Sequence, residues 1–439
     1  METTQPLSHR KTLAYSAGSL AAGLFYAFNN FTLPLYLSLY TNNAILIGWL
    51  SSTRSFEQAI FQPLVGAWSD RTWTRFGRRA PFFLASMPVA ALLMLVTGVL
   101  PHDPSFLVVA VLAIFLFSLA FNIGIDPYAA LLADATTPGQ RGAVSGVAAI
   151  FGFLGQVAVL VAATFLWSIH PGWVFGLVAA GLLIGFVVVA VGVRERRRVL
   201  EPVVPRHGTS ARRSALSFLV YLRHLFAEQR EAMKLLGVRL IYQFGINAAV
   251  PFLTLFVVSE IGTTGWPELV GGVPFMTALG LERLGAEAVS QQVAAALLLV
   301  TAVSALPCGY LGDRIGKKRV FAAGLLVVGV TAFLAAGAVT VPQLLVYVVF
   351  LGIGNAAITV LFFPYLTDLV PATRVGEFAG LSAFAETGGV VFAVLLAGEL
   401  INLNLFGLHY RLIFMVTGVC LILGFVASLF VKAKVDIES

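Results

Sequence analysis

Twelve apolar runs, each long enough to cross a bilayer, restrict what this chain can fold into. About 20 consecutive residues in a helix span the hydrocarbon core, where every backbone N–H and C=O must be bonded within its own helix. The runs fall at 13–38, 44–69, 80–100, 105–131, 143–167, 173–193, 235–259, 288–311, 320–340, 343–369, 376–401 and 410–431. Of the 439 residues 59% are hydrophobic and 11% charged, against about 25% charged in soluble domains. The expected fold class is therefore an all-α membrane protein.

The runs are also not independent of one another. Gly66, Asp70 and Arg71 close the second run and Gly77-Arg78-Arg79 follow; Gly309, Asp313 and Arg314 close the eighth and Gly316-Lys317-Lys318 follow. Runs one and seven share Tyr-x-Phe, then Asn, then Pro, at Tyr26 to Pro34 and at Tyr242 to Pro251. Runs four and ten share Pro127-Tyr128 with Asp134, and Pro364-Tyr365 with Asp368. Repetition at this spacing predicts two six-helix halves with pseudo-symmetry. The expected division is an N-terminal bundle over 10–193, a linker with an interfacial helix over 194–232, and a C-terminal bundle over 233–435. Gly142 and Gly146 open the fifth helix, Gly376 and Gly380 the eleventh; glycines four apart predict close helix packing.

The formal net charge of +7 suggests nucleic acid until its placement is considered. The basic residues concentrate in alternate loops, including Arg71, Arg75, Arg78, Arg79, Arg141, Arg314, Lys317, Lys318, Arg319 and Arg374, and in the linker. The other set of loops holds only Arg283 and the borderline Arg411. This is the positive-inside pattern of a multi-pass plasma membrane (bacterial inner membrane) protein with both termini cytoplasmic. The first run lacks a cleavage site and is expected to remain as a helix. Cys308 and Cys420 lie within spans, so no disulfide framework is implied. No Walker phosphate loop occurs and the histidines lack metal-ligand spacing. The expectation is a chain without cofactor, metal or enzymatic chemistry.

Charges at bilayer depth mark function by default, because each costs several kcal/mol unless paired or hydrated. In the second helix Arg54 and Glu57 are three apart, and Gln58 and Gln62 continue a polar ridge. Either the pair steadies the helix, or Glu57 exchanges protons while Arg54 tunes it. Asp126 precedes Pro127, which removes a backbone donor; it either binds a proton or solute, or caps the freed backbone. Glu386 in the eleventh helix has no cation on its own helix, so its partner must come from elsewhere.

Twelve helices in two repeated halves, with Gly-x-x-x-Asp-Arg after helices two and eight, resemble the major facilitator superfamily. The stretch from Ser69-Asp70-Arg71 through Gly77-Arg78-Arg79 to Ala80-Pro81-Phe82, with Ala130 to Asp134, is similar to the plant-type sucrose transporters and their animal and bacterial relatives. The glycoside–cation symporters share a looser version. The resemblance implies a transporter working by alternating access. Two departures qualify it. The helix-four carboxylate that sucrose transporters use for proton coupling falls on Ser118, and two helix-two acids of sodium-using melibiose permeases fall on Gln58 and Gln62. Asn122 matches an asparagine of the sucrose-transporter pattern.

In the resembled superfamily helices one, four, seven and ten line the central cavity. Here they offer Tyr26, Asn29, Asn30, Asn122, Tyr128, Tyr242, Gln243, Asn247, Asn355 and Thr359. Each alone reads as an interhelical hydrogen bond. Together, with no cluster of buried cations, these amides, phenols and hydroxyl suit a neutral sugar or glycoside. Asp126, Glu57, Arg54 and Glu386 are the candidates for proton coupling. Asp70, Arg71, Arg78, Arg79, Asp134, Arg141, Asp313, Arg314, Asp368, Arg374 and Glu377 are candidates for a latch: Asp70 and Asp313 are expected to meet Arg71, Arg314 or the positive amino end of a neighbouring helix, and the loops holding Asp134 with Arg141, and Asp368 with Arg374 and Glu377, to face them across the inner end of the pore, in bridges formed when that end is closed. The resulting expectation is a monomeric, proton-coupled sugar or glycoside symporter. Efflux of an amphipathic compound and a non-transporting scaffold or sensor are its alternatives.

Overall fold

The computed structural model describes residues 7–137, 139–193, 225–371 and 374–432; within the second helix it leaves out the side chains of 53–56, 58–60, 62, 63, 67 and 70. Twelve long helices occur among the described residues. They are α1 (His9–Ala27, continued through a π-turn Phe28–Thr32 into Leu33–Ser38), α2 (Ala44–Arg71), α3 (Ala80–Gly98), α4 (Leu107–Ala135), α5 (Arg141–Ile169) and α6 (Gly172–Gly192). The second half repeats the set as α7 (Arg230–Ile261), α8 (Ala286–Ile315), α9 (Lys317–Ala336), α10 (Val341–Leu369), α11 (Val375–Asn402) and α12 (Arg411–Leu429). Each expected span has its helix. Ten meet the length and apolarity of a membrane span. The other two, α1 and α2, carry the Asn29-Asn30 and Glu57 groups that lower their hydropathy.

Helix ends differ from the apolar runs in a consistent way. The second, fourth and eighth helices continue past the last apolar residue, which places Arg71, Asp134, Asp313 and Arg314 in final helical turns. Leaving hydrocarbon does not oblige a helix to stop, since its backbone bonds are internal. The linker as far as residue 224, with most of its expected interfacial helix, lies outside the described residues.

The sequence repeat has structural counterparts. Pro34 follows the π-turn in α1, and Pro251 lies in a 3-10 turn, Val250–Phe252, in α7. Proline lacks the N–H needed by the preceding turn, so the hydrogen-bond register shifts in both helices. Gly77 and Gly316 adopt φ of 104° and 100°, a region open to glycine and strained for other residues. Each turns the chain so that the next basic side chain reaches an acid. Arg78 grips Asp134 at 2.5 and 3.2 Å, and Lys317 meets Asp368 at 2.7 Å.

Within the first half, α1 packs on α5 with almost no side chain between them. A Cβ added to Gly155 would lie 2.2 Å from the Leu20 carbonyl oxygen, and one on Gly23 would lie 2.1 Å from that of Gly152. Gly155→Ala therefore forces two backbones apart, and overpacking of this kind costs about 1–3 kcal/mol. The expected result is a lower thermal midpoint of the detergent-purified protein; an unchanged midpoint would show that the contact yields.

The halves meet at one end of the molecule. The second helix packs against α11 and α5 against α8. Thr32 Oγ1 donates to Gln291 Oε1 (3.2 Å), Thr254 Oγ1 to the Phe31 carbonyl (2.9 Å), Gln292 Nε2 to Thr164 Oγ1 (2.9 Å), and the Ala44 N–H to Asn402 Oδ1 (3.0 Å). All four bonds lie toward the face opposite the basic loops. At the basic face, Gly66, Gly142, Gly146, Gly376 and Gly380 have nothing within 4 Å of where a Cβ would stand. The expected close packing of the α5 and α11 glycine pairs is thus absent. These helix ends border open space, because the molecule is closed at one face and splayed at the basic one.

Candidate functional site

The polar groups of the first half converge on α2 and α4. Glu57 is 1% exposed. Its Oε2 accepts a 2.9 Å bond from Asn122 Nδ2, and it also bonds the side chain of Ser118, one turn earlier on α4. Residues 118 and 122 are four apart and so present both polar groups to one carboxylate. Asn29, also buried, donates from Nδ2 to the Ser51 carbonyl at 2.6 Å and ties α1 to α2. Asp126 is buried one turn beyond Asn122, beside Pro127. The side chains of Arg54, Gln58, Gln62 and Asp70 lie outside the described residues, and with them the expected Arg54–Glu57 pair.

One cavity lies against the first half alone and a second is bordered by both halves. One, of about 370 Å³, is bounded by α1, α4 and α5 and includes Tyr26, Tyr128, Ser19, Ser145 and Gln156. The other, of about 150 Å³, lies deeper, against α7, α8, α9, α10 and α12. Its wall is mostly aliphatic, with Asn30, Gln156, Asn355 and Thr417 as its polar members. Gln156 borders both. Tyr128 is largely consumed by structure: its hydroxyl bonds the Tyr15 carbonyl and the Ser19 hydroxyl, each at 2.7 Å, while its ring stacks on Tyr15. Tyr26 presents its ring edge to Phe121.

In the second half Tyr242 donates to Asn355 Oδ1 at 2.5 Å, and Thr359 donates to the Asn355 carbonyl at 2.6 Å. Asn247 donates to the Gln243 carbonyl at 2.8 Å, and Gln243 is buried. Asn30 and Asn355 therefore reach a cavity directly, Tyr26 and Tyr128 reach the larger one, and Tyr242 acts through Asn355. Asn29, Asn122 and Gln243 are packed between helices, and Thr359 is exposed.

Glu386 takes its partner from another helix: Arg239 Nη2 lies 3.1 Å away on α7. Sequence reading missed Arg239. The signal was present, since 239, 243 and 247 recur every four residues and share a helix face, but the residue closely follows a linker dense in basic side chains. It also missed Gln156, a lone amide in an otherwise apolar fifth helix.

The latch charges are paired differently from expectation. Asp134 is held by Arg78 and by Arg79 Nε at 3.0 Å, not by Arg141, which donates to the Ala133 carbonyl at 3.1 Å. Arg79 also reaches Ser69. Asp368 binds Lys317 and not Arg374; Arg374 holds Glu377 (2.8 and 3.1 Å) and Glu228 (2.9 Å). Those two carboxylates hold the Arg374 guanidinium more firmly protonated than usual. Arg314 stacks on Tyr310, Arg71 is exposed, and Asp313 has no ion pair among the described residues. None of these bridges joins the two halves; the Arg374–Glu228 pair ties the end of the linker to the second half. With the basic face open, no latch charge has a partner across it among the described residues, so each pairs with its own bundle.

A closed face, a splayed face and, between two pseudo-symmetric bundles, a mostly aliphatic cavity with a few amides in its wall define a membrane transporter. A family model described as Major Facilitator Superfamily matches residues 15–286 and 275–438, and the chain belongs to that superfamily. It is 36% identical over 87 residues to Monocarboxylate transporter 2 of Mus musculus, covering 20% of this chain and 18% of that protein. It is 28% identical over 117 residues to Sucrose transport protein SUC3 of Arabidopsis thaliana, covering 22% and 20%. The chain thus matches a fifth or less of either relative's length. The crystal structure of the nucleoside transporter NupG superposes with a TM-score of 0.67 at 12% identity, covering 97% of this chain and 100% of that one.

Proposed function

We propose that this transporter is a proton-coupled symporter of a sugar or glycoside. In this reading it works as a monomer in the plasma membrane, with the basic face and both termini in the cytoplasm, so the conformer described is inward-facing. The bundles are taken as 10–193 and 233–435, joined by the linker 194–232. Glu57 is the observation that carries the proposal. A carboxylate at bilayer depth costs about 2.5–3.5 kcal/mol to place, yet this one is buried against Ser118 and Asn122. Ser118 is where the sucrose-transporter resemblance would put a helix-four acid. The acid is supplied here from α2, across the same contact. Asn30, Gln156 and Asn355 then offer the amide donors and acceptors that sugar hydroxyls need.

The test is uptake by the purified chain in proteoliposomes under an imposed pH gradient, acid outside, with labelled mono- and disaccharides and their methyl glycosides. The expected result is accumulation above the external concentration, abolished by a protonophore. Absence of uphill uptake for every sugar tried would overturn the reading. The aliphatic wall of the deeper cavity favours a second reading, export of an amphipathic compound, which the same vesicles would report as pH-driven extrusion of a lipophilic dye.

A further inference from the structure

The two halves differ at the turn they share. In the second half one residue separates Asp313-Arg314 from Gly316; in the first, five separate Asp70-Arg71 from Gly77. The short version turns the chain equally well. Gly316 adopts the same positive φ as Gly77, and Lys317 reaches Asp368 as Arg78 reaches Asp134. The four extra residues, Trp73-Thr74-Arg75-Phe76, are therefore not needed to reverse the chain or to deliver a base to its acid. They form a tight hairpin, in which Thr74 and Gly77 exchange backbone hydrogen bonds of 3.0 and 3.1 Å and Thr74 Oγ1 donates to the Gly77 carbonyl at 2.9 Å. Trp73, Arg75 and Phe76 are exposed on it, with the Arg75 guanidinium 4.8 Å from the Phe76 ring centre. Arg78 and Arg79 share Asp134, but Arg75 has no ion pair among the described residues.

Beside the hairpin lies a cleft of about 700 Å³. Thr74, Arg75 and Gly77 stand at its polar mouth; Leu84 on α3 and Val187 and Val191 on α6, each within the helical turns next to the basic face, form an aliphatic wall. Val187 and Val191 are 51% and 75% exposed on a membrane-length helix, so lipid covers them. The order of groups, a cation and aromatic rings at the surface and hydrocarbon contacts directly below, is that of a phospholipid read from headgroup to acyl chain. Aromatic side chains favour the headgroup level, and surface arginines attract anionic lipid. None of the described residues lining the cleft is acidic, so an amine-bearing headgroup finds no counter-charge there.

We propose that the Trp73–Phe76 insertion is a binding site for an anionic phospholipid, with Arg75 on the phosphate and the start of one acyl chain in the cleft between α3 and α6. An acidic peptide would satisfy Arg75 but leave the aliphatic wall unused. The site is independent of the solute and does not rest on the sugar reading.

The experiment titrates the full-length chain in detergent with dihexanoyl phosphatidylglycerol or dihexanoyl phosphatidylcholine, each below its micelle-forming concentration, and reads half-saturation from the rise in thermal midpoint. The glycerol lipid is expected to bind about fivefold more tightly, the contribution of one basic side chain at an anionic surface. Arg75→Gln should bring the ratio of the two near one. Arg319→Gln removes the same charge from the same face beside the short turn, and should leave the ratio unchanged. Deleting Trp73–Phe76, which copies the spacing of the second half, should keep the lipid-free midpoint and lose the preference. Inorganic phosphate alone should produce no shift. Equal half-saturations in wild type, or an Arg75→Gln protein that keeps its preference, would overturn the site. An equal loss in Arg319→Gln would reduce it to general surface charge, and a shift with inorganic phosphate as large as that with phosphatidylglycerol would replace the lipid by a free anion; either overturns the proposal.

Discussion

Glu57→Gln is expected to abolish accumulation against a gradient while leaving solute exchange intact. Glutamine keeps the shape of a protonated glutamate and its bond to Asn122, but cannot release a proton. If the proposed coupling holds, uphill uptake depends on loading Glu57 at one face and unloading it at the other, so net accumulation should fall by tenfold or more, the order of effect seen when one proton-transfer group is removed (about 10²–10⁴-fold). Exchange of labelled for unlabelled solute needs no net proton movement and should persist. Both are read in the same proteoliposomes, with and without the pH gradient. Loss of exchange together with uptake would mean that Glu57 holds α2 to α4 or grips the solute, and retained uphill uptake would move coupling to Asp126 or Glu386. Asn122→Ala provides the companion measurement: it removes the 2.9 Å donor to Glu57 while keeping the acid, and should shift the pH dependence of uptake without abolishing it.

The general architecture was legible because two independent signals agreed. Run lengths specify spans, and the doubled Gly-x-x-x-Asp-Arg turn specifies a repeat; Gly77 with Gly316, and Arg78–Asp134 with Lys317–Asp368, are that repeat in three dimensions. The pairings within the site were less legible, because an ion pair depends on which loops share an end of which bundle. Asp134 is nearer in sequence to Arg141 than to Arg78, yet the Gly77 turn delivers Arg78 and Arg79 to it. Glu386 could be read as needing a partner from another helix, but no one-dimensional signal named Arg239. Gly142, Gly146, Gly376 and Gly380 show a different limit. A glycine spaced for packing marks a surface that approaches something in some state, and the sequence does not say in which one.

That last point gives the second large effect. A Cβ at Gly146 or Gly380 would meet nothing within 4 Å in this conformer, so Gly146→Leu and Gly380→Leu are expected to change its stability by no more than about 0.5 kcal/mol. Alternating access requires the basic face to close, which brings the adjoining ends of α5 and α11 toward the opposite half. Two leucines in that seam obstruct the closure, and packed interfaces do not deform continuously to admit them. The double variant is therefore expected to keep its thermal midpoint, lose transport by tenfold or more, and stay open at the basic face. A cysteine placed at Ser145, which lines the larger cavity, reads this directly in a background with Cys308 and Cys420 replaced by alanine. Its labelling from the basic side should rise in the double variant and not fall when solute is added. Gly398→Leu supplies the opposite case: a Cβ there would lie 2.6 Å from Ile45 Cα across the closed face, so it should open that face and reduce labelling at Ser145→Cys. If both variants transport normally, the glycines do not mark the moving seam and the halves exchange access through other surfaces.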